Sequence, residues 1–134
     1  MEFSLSEEQG ILSESIKKMF DENINIDNLR DHSKGDKSIR KIIRGSIIDM
    51  GLPGLMIPEE YGGSGLGVLE ATLVAEQIGS YAVPSPWIGN SIMAPTAILF
   101  EKDNHLAEKW LPLIASGEIT ACISLSEVIG KRGD

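Results

Sequence analysis

Cysteine is almost missing from this chain: of 134 residues only Cys122 is one. A disulfide framework within the chain is therefore excluded, and such sparing use fits a reducing, cytoplasmic setting. Aromatic residues make up 5%, too few for interleaved stacking platforms for nucleic acid. Positive charge is in deficit, with 12 Lys and Arg against 20 Asp and Glu and a net charge of −8. That balance leaves no basic footprint for DNA or RNA and suits an anionic membrane surface poorly. Nowhere do about 18 apolar residues follow one another without charge, so no membrane-spanning helix is expected. Met1-Glu2-Phe3-Ser4 has neither a basic patch nor an apolar run and does not read as a signal peptide. The 42% hydrophobic content is that of an ordinary globular domain.

What is present is mostly helical periodicity. Ser4 and Glu7 have capping-box spacing, and Leu12, Ile16, Met19 and Phe20 then share one face. Asn23 to Gly35 reads as a polar loop with room for a short helix. A second helix after Asp36 has Ile39, Ile42, Ile43, Ile47 and Met50 as its stripe, and Gly51 and Pro53 end it. From Gly51 to Gly67, six glycines and two prolines among seventeen residues exclude regular helix. A third helix spans about Val68 to Ile78, with Leu69, Leu73, Ala75 and Ile78 inward. Ser85-Pro86 opens a fourth, which Pro95 is expected to kink. A fifth starts near Asn104, with Leu106, Trp110, Leu113 and Ile114 inward, and stops at Gly117.

The period then changes to two. Ile119, Ala121, Ile123 and Leu125 alternate with Thr120, Cys122, Ser124 and Ser126, the pattern of a half-buried strand. A single strand leaves its backbone donors and acceptors unpaired. The expectation is that it pairs with another chain or opens a further domain of a longer protein. The fold class expected is mainly α, an up-and-down bundle of five to six helices over residues 1–118, with one C-terminal β-strand in 119–134.

The chemistry-bearing patterns are weak one by one. Gly62, Gly63, Gly65 and Gly67 do not make a dinucleotide fingerprint, and no Lys-Ser or Lys-Thr pair makes a P-loop. His32 and His105 have no partner at ligand spacing, so no metal site is expected. Glu70 and Glu76 sit on different helix faces and do not converge. Cys122 has no basic neighbour in sequence and reads as a packed or sheet-facing thiol. No catalytic residue is nominated. Lys102, Lys109, Lys131 and Arg132 are too scattered to form a phosphate site.

Three stretches in register carry a resemblance. Gly51-Leu52-Pro53-Gly54-Leu55 leading to Pro58-Glu59-Glu60-Tyr61-Gly62-Gly63-Ser64-Gly65, then Trp110 to Glu118, then Ile123-Ser124-Leu125-Ser126-Glu127, together resemble the N-terminal helical domain of the acyl-CoA dehydrogenase family. The resemblance implies an FAD-dependent α,β-dehydrogenation of an acyl-CoA thioester to a 2-enoyl-CoA, with electron-transfer flavoprotein as partner and a homo-oligomeric state. It implies that Ile123, Ser124, Leu125, Ser126 and Glu127 contact flavin, Ser126 standing where the family has a threonine. It also implies that Ser91, Ala94 and Ile98 face the acyl group. The stretch after Glu127 lacks the family's Pro-x-Ala-Gly-Ser-Asp. The family's base belongs to a C-terminal domain, so this chain alone is expected to be inactive and not to retain FAD. The alternatives are a catalytically inactive helical interaction or dimerisation module and a small acyl-CoA carrier bundle.

Overall fold

The computed structural model describes residues 4–101 and 104–124. Six α-helices run in order: α1 (Glu7–Asn23), α2 (Ile26–Ser33), α3 (Ser38–Asp49), α4 (Val68–Ser80), α5 (Ala94–Phe100) and α6 (Asn104–Ala115). Two single 3-10 turns, Leu52–Gly54 and Glu59–Tyr61, lie between α3 and α4. A π-helical stretch, Ile88–Met93, leads directly into α5. No strand occurs among the described residues, and no described helix is long and apolar enough to cross a membrane.

The caps follow local chemistry, with one correction. α1 is capped by Ser6 and Gln9, two residues later than the expected Ser4 and Glu7. The Ser6 hydroxyl accepts the Gln9 N–H at 3.2 Å, and the Gln9 side chain accepts the Ser6 N–H at 2.9 Å. The short helix left open within Asn23 to Gly35 forms as α2, capped by Asn25, whose side chain accepts from Asp27 and Asn28. Gly51 ends α3 at φ 69°, the left-handed conformation that glycine adopts without steric cost.

Two apolar clusters hold the helices together. The larger joins Ile16 and Phe20 of α1, Ile39, Ile43 and Ile47 of α3, Leu52 and Leu55 of the glycine-rich stretch, Ala71 and Val74 of α4, and Val83 and Trp87. The smaller joins Ile57 with Ala107, Leu111 and Ile114 of α6, and Ile98 and Ile119 pack against it. Each fully buried Ile, Leu or Phe contributes about 1.5–3 kcal/mol by leaving water.

The stripes are rotated from the simplest reading at three places. Ile42 and Leu69 point outward; α4 seats Leu73 as expected, together with Ala71 and Val74. On α6, Leu106 and Trp110 are partly exposed while Ala107, Leu111 and Ile114 are buried. The reason is close approach. Trp87 Nε1 donates to the Ala71 carbonyl at 3.3 Å, and α6 lies directly on the glycine-rich turn. Small residues let backbones come near; larger ones are displaced outward.

Pro95 interrupts α-helical geometry as expected, but the helix widens rather than breaks. The Ala94 N–H reaches the Gly89 carbonyl, five residues back. Proline has no N–H for the carbonyl four residues earlier and its ring crowds it, and a wider turn upstream accommodates both.

The glycine-rich loop folds onto its own beginning. The N–H groups of Ser64, Gly65 and Leu66 donate to the carbonyls of Gly54, Ile57 and Leu55 at 3.0, 2.8 and 2.9 Å. A Cβ on Gly63 would lie 2.0 Å from the Ile57 oxygen and 2.5 Å from the Gly54 oxygen. At Gly62 nothing stands within 4 Å, but φ is 81°. Gly63→Ala is therefore expected to cost about 3 kcal/mol or more. Gly62→Ala should cost only about 1 kcal/mol, the left-handed penalty. Denaturant unfolding of the two variants side by side checks this; equal losses would refute the packing account.

Candidate functional site

α3 sets up the main cleft. Its inward stripe of Ile39, Ile43 and Ile47 goes to the core. The adjacent face carries Arg40, Lys41 and Arg44, with Lys37 at the cap, at spacing i, i+3, i+4, i+7. Facing α3 are the Pro84–Ser91 segment and the chain leaving α6 at Gly117, Ile119 and Thr120. Together they enclose a cavity of about 490 Å³. Ile43, Ile47, Pro53 and Trp87 give it apolar walls, and the four cations stand along one side.

Two hydrogen bonds define the far wall. Arg44 Nη2 donates to the Gly117 carbonyl at 2.7 Å. Gly117 has φ 73°, and a Cβ there would sit 2.5 Å from Ile48 Cγ1, so glycine is required on both counts. Asn90, buried, accepts the Ala121 N–H on its Oδ1 at 2.8 Å. Its Nδ2 lies 3.4 Å from the Ser91 hydroxyl.

No ion pair among the described residues neutralises the cations. Among the described residues the ion pairs are Arg30–Asp27 and Lys34–Asp31, and none includes Lys37, Arg40, Lys41 or Arg44. Asp36, next to Lys37, is engaged with the Ser38 N–H and hydroxyl at 2.8 and 3.0 Å, which lowers its pKa from the ordinary carboxylate value. Like charges at i, i+3 and i, i+4 cost about 0.2–0.5 kcal/mol per pair. Four such pairs on one helix are a local penalty in a chain with acids to spare.

The residues nominated from sequence are distributed as follows. Ser91 is buried and lines the cleft. Ala94 is buried at the start of α5, and Ile98 packs against the Ile57–Leu111 cluster instead. Ile123 is partly buried and Ser124 exposed. Leu125, Ser126 and Glu127 lie outside the described residues, and the described part of the expected strand, 119–124, forms no strand. Residues 119–124 nevertheless keep the period-two pattern. Ile119, Ala121 and Ile123 are partly buried and Thr120, Cys122 and Ser124 exposed, Thr120 lining the cleft. They form no ladder. Cys122 is exposed on the outward face.

Sequence reading missed the α3 cations and Asn90. The signal for the first was available: Lys37, Arg40, Lys41 and Arg44 fall on one face once α3 is drawn as a helix. Nothing local marks Asn90, whose partner is 31 residues away.

Elsewhere, titratable groups do structural work. Glu70 accepts from Gln9 Nε2 at 2.8 Å and from the Gly67 N–H at 3.0 Å, clasping α1 to α4. The Gln9 hydrogen bond chiefly lowers its pKa from the carboxylate norm. The Tyr81 hydroxyl donates to Asp21, which raises its pKa. No group of three or more His, Cys, Asp or Glu among the described residues is arranged to hold a metal ion.

The sequence matches the family described as "Acyl-CoA dehydrogenase, N-terminal domain" over residues 6–118. It is 32% identical over 126 residues to mitochondrial isovaleryl-CoA dehydrogenase of Pongo abelii, covering 92% of this chain and 30% of that protein. It is 28% identical over 131 residues to acryloyl-CoA reductase (NADH) of Anaerotignum propionicum, covering 95% of this chain and 32% of that one. The ChsE4-ChsE5 complex from Mycobacterium tuberculosis contains a chain with the same fold: TM-score 0.85, 24% identity, all of this chain and 36% of that one. This chain therefore spans about a third of the proteins it matches.

Two outcomes are expected. Asn90→Leu strands the Ala121 N–H and should speed its amide hydrogen exchange while costing about 1–3 kcal/mol; unchanged exchange at Ala121 would contradict the tether. Glu70 has a lowered folded-state pKa, so its contribution is present above its unfolded value and is lost as pH falls through the folded one. Wild type should therefore lose stability relative to Glu70→Gln as the solution is acidified across that interval, read from denaturant midpoints at stepped pH.

Proposed function

The chain belongs to the acyl-CoA dehydrogenase family, and from that premise we propose that it is the helical front of an FAD-dependent enzyme that dehydrogenates an acyl-CoA thioester to the 2-enoyl-CoA. The observation that carries this is the departure of residues 119–124. Ile119, Ala121 and Ile123 are partly buried while Thr120, Cys122 and Ser124 are exposed, the alternation of a half-buried strand, although 119–124 belong to no strand among the described residues. On this reading 119–134 is the first strand of a middle β-domain, and 1–118 is the N-terminal helical domain. The partner strands and the base are supplied by the parts of the enzyme that this third of the length does not contain.

The outward row fits a flavin's polar edge in kind, since hydroxyls at alternate positions both donate and accept. Ile123, Ser124, Leu125, Ser126 and Glu127 would hold the ring, and Ser126 would keep the hydroxyl hydrogen bond. FAD, when bound, supplies the acceptor for the substrate's β-hydride. The helical domain's own part is to wall the acyl group with Ser91, Ala94 and Ile98 and to exclude water from the reacting carbons. Homo-oligomerisation, a cytoplasmic location and reoxidation by electron-transfer flavoprotein belong to the same reading.

Joining this chain to the middle and C-terminal domains of a relative such as isovaleryl-CoA dehydrogenase should yield a yellow protein that oxidises an acyl-CoA with an artificial electron acceptor. The chain alone should show neither flavin absorbance nor turnover. In the joined protein, Ser126→Val should weaken FAD retention about tenfold, the effect of one lost hydrogen bond. Turnover by the chain alone, or a colourless and inactive joined protein that is nevertheless folded, would sink the proposal.

A further inference from the structure

The α3 cleft shares Ser91 with the proposed acyl wall, but the dehydrogenase reading does not call on its cationic rim. Its volume of about 490 Å³ falls within the range of small-molecule sites, roughly 300–1,000 Å³. Its walls are apolar where Ile43, Ile47 and Trp87 meet. One rim carries Lys37, Arg40 and Lys41, exposed and without an ion pair among the described residues. The N-terminal end of α3 lies at the same rim, so the helix dipole adds to the positive field there. Arg44 is the one cation already committed, to the Gly117 carbonyl. The polar wall groups Asn90 and Ser91 are likewise occupied, with the Ala121 N–H and with each other.

We propose that this cleft binds a small anionic amphiphile, with its apolar tail between α3 and Trp87 and a carboxylate or phosphate head at Lys37, Arg40 and Lys41. Size and shape favour a small molecule over a macromolecular strand. Against an overall charge of −8, the rim is a local concentration of positive charge that would draw an anion to this site. Gathering three mutually repelling cations beside an apolar hollow is accounted for by an anion that neutralises them and is excluded from water on its other end.

The site contains one of the chain's two tryptophans, and the other, Trp110, lies on α6 outside it. Trp110→Phe therefore isolates Trp87 as a fluorescent reporter. Titrating the full 134-residue chain with decanoate and with decyl phosphate should change Trp87 emission saturably, and the tighter of the two identifies the head group. Decanol, with the same tail and no charge, should bind at least about tenfold more weakly. Arg40→Gln with Lys41→Gln should weaken decanoate by about tenfold or more, while Lys17→Gln with Lys18→Gln, the same charge change on α1, should alter it by less than about twofold. All four positions are exposed, so the fold is retained. Decanol binding as tightly as decanoate overturns the proposal, as does equal loss in both double variants. A glutamate-rich peptide that binds more tightly than either probe also overturns it, in favour of an acidic protein segment. None of these readouts involves flavin or turnover, so they stand or fall apart from the dehydrogenase reading.

Discussion

The crossing of Gly63 over Gly54 and Ile57 is the contact on which the remaining architecture rests. It admits no Cβ, because two carbonyl oxygens already occupy that space. Closing it turns the chain so that Leu52 and Leu55 enter one apolar cluster and Ile57 enters the other. Both clusters are thus pinned to one short stretch of backbone. Gly54 continues the same logic outward: a Cβ there would lie 3.0 Å from Ala115 Cβ, so α6 can dock only on a bare backbone. Hydrogen bonds within the loop satisfy the polar groups that such close approach buries.

α3 then serves two environments with one helix. Its isoleucines fill the core, and its cations line the cleft. Arg44 connects the two roles by holding Gly117, the residue at which the chain turns away from α6. Asn90 performs the corresponding task from the π-helical stretch by holding Ala121. The segment that leaves the helical body is therefore aimed from two sides before any further structure meets it. Ile119, Ala121 and Ile123 of that segment are partly buried, so part of its conformational freedom is already spent.

The carboxylates show why an acidic sequence need not be an acid–base catalyst. Glu70 ties α1 to α4 through Gln9, and Asp36 caps the start of α3. Their pKa values move down because hydrogen bonds favour the charged form. A general base at neutral pH needs the opposite shift. Both carboxylates accordingly act as ties between neighbouring segments.

Much of the fold was legible from residue order. Period 3.6 marked the helices, the Gly51–Gly67 composition excluded helix there, and the switch to period two after Gly117 reappears as alternating burial through Ser124. These are local signals: backbone conformation and the side of an element are encoded within a few residues. What residue order left open was rotation and long-range pairing. Leu69, Leu106 and Trp110 turn outward while α4 receives Trp87 at the Ala71 carbonyl and α6 meets Gly54 at Ala115, facts about distance between segments. The cleft likewise exists only when α3, Pro84–Ser91 and Thr120 converge, and Asn90 acquires a role only when Ala121 comes to it. Helical pattern is a property of the chain read along its length; a cavity and its charge are properties of space between parts of the chain, and only packing creates that space.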